Sequence, residues 1–84
     1  MSISKNCIVD ILKYTSKYTK NNRTIDFDTI CESIPEYSKE EIVAALEYLE
    51  SNRFIDSDGV IYGDGHLTDI EVLGITAKGK ALLY

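Results

Sequence analysis

Pro35 and the tetrapeptide Ser38-Lys39-Glu40-Glu41 constrain this chain more than any other feature. Proline disfavours helical geometry in the residue before it, so a helix running up to Ile34 has to stop there. Just beyond, the S-x-x-E pattern supplies a capping box. Ser38 accepts from the backbone N–H of Glu41, and the Glu41 side chain returns to Ser38. Behind that box Ile42, Ala45, Leu46 and Leu49 recur at helical spacing and form one buried stripe. Two helices joined by so short a turn make a helix-turn-helix.

The flanking segments extend the pattern. Ser4 reads as the N-cap of a first helix, with Ile8, Ile11, Leu12, Thr15 and Tyr18 on its inward stripe. Lys13, Lys17 and Lys20 fall on the opposite side, and Asn21-Asn22 should end the helix. Residues 23–27 read as a short extended piece with Ile25 and Phe27 on one face. Asp28 is the expected cap of the second helix, which runs to Ile34 with Ile30, Cys31 and Ile34 inward. The third helix should end near Asn52-Arg53, with Phe54-Ile55 entering the core behind it.

Past Ile55 the period changes from helical to alternating. Asp56-Ser57-Asp58-Gly59 reads as a turn, Val60-Ile61-Tyr62 as a strand, and Gly63-Asp64-Gly65-His66 as a hairpin tip. Residues 67–75 form the return strand. Its apolar parity shifts between Ile70/Val72 and Leu73/Ile75, which predicts a bulge near Gly74. Thr76 caps a last short helix, Ala77–Leu83, in which Gly79 permits close approach to a neighbour. The fold class is therefore α+β: a three-helix bundle with a short strand, a β-hairpin and a short C-terminal helix.

At 84 residues the chain is one domain, 1–84, because a second core would leave each half too small to bury itself. No apolar run approaches the length of a membrane span, and the first residues lack the charged-then-apolar order of a secretory signal. The expected location is the cytoplasm, away from membranes. Cys7 and Cys31 sit in no C-x-x-C or Cys/His cluster and read as buried, reduced thiols. A structural zinc is not expected, because His66 is the only histidine and no four-ligand set can be assembled. Asp56-Ser57-Asp58-Gly59 lacks the later ligands of a calcium loop. No Ser/His/Asp set and no Gly-rich phosphate cradle is present, so neither catalysis nor a cofactor is expected.

Charge is segregated along the chain. Residues 1–24 carry +4, residues 25–75 carry −11, and Lys78 and Lys80 add +2, for a net −5. Overall acidity opposes non-specific attraction to nucleic acid, while the basic first quarter leaves room for a local contact.

Two stretches carry a family resemblance. Leu46-Glu47-Tyr48-Leu49-Glu50-Ser51-Asn52-Arg53-Phe54-Ile55 resembles the "LeyLexxgfI" close of the third helix in winged helix-turn-helix proteins. Ile75-Thr76-Ala77-Lys78-Gly79-Lys80-Ala81-Leu82-Leu83 resembles the "LTxkGkalL" segment that leaves their wing. The pattern is similar to small bacterial and phage winged-helix proteins such as the YjcQ-like family. The resemblance implies a DNA-binding regulator or accessory factor of a bacterium, phage or mobile element. Duplex DNA ranks ahead of single strands, with the third helix in the major groove and the wing tip on the backbone or minor groove.

Local charge runs against that docking mode. Opposite the buried stripe of the third helix lie Glu40, Ala44, Glu47, Tyr48 and Ser51, and only Lys39 at its first turn is basic. Asp56, Asp58, Asp64 and Asp69 surround the wing, where His66 is the sole possible cation. The candidate nucleic-acid contacts are therefore Lys13, Lys17, Lys20, Arg23 and Lys39 for phosphate, with Tyr48 and His66 beside them. Each has a plainer reading. The lysines would be a solvated face balancing the acidic half, Tyr48 would pack on the turn before the third helix, and His66 would be an ordinary exposed histidine. The alternative function is a protein-interaction module or homodimer whose acidic third helix meets a basic partner surface.

Overall fold

The computed structural model describes residues 4–21 and 23–83. Their order is α1 (Lys5–Tyr18), a 3₁₀ turn (Thr19–Asn21), β1 (Ile25–Asp26), α2 (Phe27–Ser33), α3 (Lys39–Ser51), β2 (Ile55–Gly63), β3 (His66–Ile75) and α4 (Ala77–Leu83). The three strands form one antiparallel sheet in the order β1-β3-β2. The chain is thus α+β, with four α-helices and a three-stranded antiparallel sheet among the described residues.

Local chemistry sets the helix boundaries. The Ser4 hydroxyl accepts from the Cys7 N–H, and the capping box at α3 is complete, with Ser38 and Glu41 bonding reciprocally at 3.1 Å. The cap of α2 is Asp26, whose carboxylate accepts from the Thr29 N–H at 2.8 Å. This corrects the expectation of Asp28. Starting the helix at Phe27 buries the Phe27 ring beside Ile30, and Asp26 is the acid one residue ahead of that start. The helix stop expected at Asn21-Asn22 becomes the 3₁₀ turn, and Asn22 lies outside the described residues.

Inward faces of α1 (Cys7, Ile11, Leu12), α3 (Ile42, Ala45, Leu46, Leu49) and β3 (Leu67, Ile70, Val72) meet in the core, all essentially without solvent exposure. Tyr18, expected inward, is 42% exposed, and Cys31 is half-buried. Replacing Leu46 with alanine in such packing typically costs about 2–5 kcal/mol. The turn between α2 and α3 is tied to α1 by Tyr37, whose hydroxyl donates to Asp10 at 2.6 Å. That bond pushes the Tyr37 phenol up to about 12.

The hairpin differs from expectation in its first arm. Asp56-Ser57-Asp58-Gly59 is part of β2 rather than a turn, because Asp56 pairs with Gly74, Ser57 with Val72 and Asp58 with Glu71. Gly59, at φ +58, supplies the extra residue of a bulge between the Asp58–Glu71 and Ile61–Asp69 pairs. The tip is the expected Asp64-Gly65 turn, with both residues left-handed (φ 54 and 80) between paired Gly63 and His66. The bulge expected near Gly74 is present as the register shift between Asp56 and Ser57. A further shift near Thr68 lets Leu67 and Ile70, three residues apart, both face the core.

Gly79 of α4 sits against the Phe54 carbonyl, where an added Cβ would collide with backbone. Thr76 caps that helix through the Gly79 N–H at 3.0 Å and donates its hydroxyl to the Arg53 carbonyl at 2.7 Å. The sequence between Arg53 and Gly79 is thereby closed into a loop at its base.

Candidate functional site

The helical period that buries Cys7, Ile11, Leu12 and Thr15 of α1 turns Lys13, Lys17 and Lys20 to solvent. Packing of α4 on α1 brings Leu83 to the same place. Lys13, Ser16, Lys17, Lys20 and Leu83 line one shallow cleft of about 210 Å³. Lys80, exposed and one turn before Leu83, lies on the same helix face. The end of α4 therefore meets the basic end of the first helical segment. Among the described residues no lysine or arginine pairs with a carboxylate, and the one basic side chain close to a carboxylate is His66, whose Nδ1 lies 3.4 Å from Glu47 Oε1. The cleft lysines do not balance the acidic half through direct contacts.

The face joining α3 to the hairpin has a different character. Glu47 turns sideways to the hairpin, where its Oε1 accepts from the Leu67 N–H at 3.0 Å and lies 3.4 Å from His66 Nδ1. It is not directed straight outward. Lys39, Glu40, Val43, Ala44, Glu47 and His66 border a largely apolar groove of about 400 Å³ with Leu67 at its floor. The Lys39 ammonium lies 5.7 Å from the Phe27 ring centre. Phosphate approaching this groove meets the carboxylates of Glu40 and Glu47 as well as the Lys39 ammonium.

Tyr48 occupies a third place. Its ring stacks at 5.7 Å on Phe54, which follows α3, rather than on the turn preceding the helix. It borders a second apolar groove with Ile8, Val9, Leu82 and Lys5. Arg23 is exposed on the connection into β1. The seven candidate residues thus divide among separate surfaces: Lys13, Lys17 and Lys20 form one group, Lys39 and His66 border a second groove, and Arg23 and Tyr48 stand apart. Leu83 is the cleft member that sequence reasoning missed, because its position beside α1 depends on how α4 packs.

Neither thiol is activated. Burial, with Glu41, Asp10 and Glu36 nearby, pushes Cys7 up to about 11, and burial also raises Cys31. No group of three His, Cys, Asp or Glu side chains among the described residues is placed to share a metal ion. No described helix is long and apolar enough to cross a membrane. Compared with known proteins, the chain matches no family model, no curated protein and no solved structure.

Proposed function

We propose that this chain is a small winged-helix protein that binds duplex DNA through the basic α1–α4 surface rather than through α3. The order of helix, strand, helix-turn-helix, hairpin and short helix supports the fold assignment. The observation that carries the function is the convergence of Lys13, Lys17 and Lys20 around one cleft, with the exposed Lys80 one helical turn from Leu83 at its edge and, among the described residues, no carboxylate paired with any of them. Such cations neutralise phosphates and release counterions, but they carry no base readout. The reading is accordingly an accessory or architectural DNA-binding factor with weak sequence preference, acting in the cytoplasm without cofactor or catalysis.

Fluorescence anisotropy of a labelled duplex tests it. Four phosphate contacts predict binding that weakens about 100-fold between about 50 and 200 mM salt. A single-stranded probe in the same titration separates duplex geometry from simple charge attraction. Absence of binding to either probe at about 50 µM protein in low salt overturns the proposal and favours the protein-interaction reading.

A further inference from the structure

We infer that the exposed ridge of α3 is a self-complementary surface on which a second copy of this chain docks about a two-fold axis. Two apolar grooves flank that ridge. On one side Val43 and Ala44 face the hairpin across a groove of about 400 Å³ floored by Leu67. On the other, Tyr48 meets Val9 and Leu82 across a groove of about 350 Å³. Ala44 and Tyr48 are one helical turn apart on α3, so the grooves join into one apolar strip across the ridge. Tyr48 and Leu82 are 37% and 44% exposed, large apolar side chains left in water by the monomer.

Charge identifies the occupant. Lys5 stands at the α1 end of the strip, and Glu40 stands at the hairpin end. Neither has an ion-pair partner among the described residues. Lys39 and His66 also border the hairpin end, where Lys39, Glu40 and Glu47 together leave a formal charge of −1 against the +1 of Lys5 at the other end. A two-fold axis through the ridge lays each Lys5 end on the Glu40 end of the other copy, twice over. An isologous contact requires this arrangement, because the same patch must supply both halves of every pair. Nucleic acid gains little from the same strip, since Glu40 and Glu47 offset Lys5 and Lys39 and leave no net positive charge for phosphate. This contact is independent of the DNA-binding proposal. Lys17 and Lys20 lie at the far end of α1 from Lys5, so failure of either proposal leaves the other standing.

Sedimentation velocity of the full chain from about 10 µM to about 1 mM tests the inference. The wild type is expected to shift toward twice the chain mass across that range. Ala44→Arg, which keeps a good helix former on the ridge, should hold the protein monomeric with an unchanged circular dichroism spectrum. Lys5→Glu and Glu40→Lys, each alone, should weaken association at least about 10-fold, and the two combined should restore it. The charge exchange keeps the test valid even if Ala44→Arg perturbs folding. A wild type that stays monomeric at about 1 mM overturns the inference, and so does a dimer indifferent to the charge exchange.

Discussion

The Glu47 carboxylate of α3 accepts the Leu67 backbone N–H of β3 at 3.0 Å, joining the helix to the arm of the hairpin it faces. The same oxygen lies 3.4 Å from the His66 imidazole. A residue expected on the groove-facing side of a DNA-reading helix is thus occupied in holding the hairpin. The Glu47 side chain keeps only 25% of its exposure, and losing it strands a part-buried N–H.

Glu47→Ala is therefore predicted to destabilise the chain by about 1–3 kcal/mol, through an unsatisfied donor rather than lost packing. Urea unfolding gives the magnitude. Hydrogen exchange at the Leu67 amide locates it: exchange there should accelerate more than at Val72 in the same strand.

Thr15 makes the opposite prediction. Its hydroxyl is fully buried on α1 with no hydrogen-bond partner among the described residues. Thr15→Val retains the branched shape and removes the stranded hydroxyl, so stability should hold or rise by about 1 kcal/mol. Thermal unfolding distinguishes this from the loss that a hydroxyl with a partner would produce.

Gly79 and Gly74 provide a paired test of the base of the hairpin. A methyl group at Gly79 collides with the Phe54 carbonyl, whereas one at Gly74 finds only the Thr19 hydroxyl at an ordinary 3.8 Å. Gly79→Ala should cost about 3 kcal/mol or more, because backbone has to move, while Gly74→Ala should stay within about 1 kcal/mol. Chemical denaturation of both variants checks the contrast.

Asp26 sets an acid dependence. Its hydrogen bonds to Thr29 hold its carboxyl below the usual range. A folded-state value below the unfolded one stabilises the fold fully above the unfolded value. That contribution disappears as pH falls through the folded value. Asp26→Asn keeps a capping side chain without the titration, so its denaturation midpoint should change less than the wild type's between about pH 7 and pH 3. Equal acid sensitivity in the two proteins would contradict the assignment.

Legibility in the sequence followed the range of each interaction. The Ser38–Glu41 box, the α3 stripe and the Asp64-Gly65 turn are decided within a few residues, and each stands where the local pattern placed it. Asp26 and Asp28 offered two caps for α2, and burial of Phe27, a tertiary fact, selected the first. The Asp56–Gly59 stretch has turn composition, yet pairing with β3 holds it extended, with Gly59 absorbing the surplus residue. At the candidate site the three α1 lysines were legible from the helical period. Leu83 beside them was not, because the proximity of residues more than sixty positions apart belongs to packing alone.

The most direct measurement is a duplex titration comparing the wild type with a variant in which Lys13, Lys17 and Lys20 are all glutamine. Removing three of four phosphate contacts should lower affinity at least about 100-fold at about 50 mM salt and flatten the salt dependence to about one contact. Unchanged affinity, with the original salt slope, would show that the α1–α4 surface is not where this chain holds DNA.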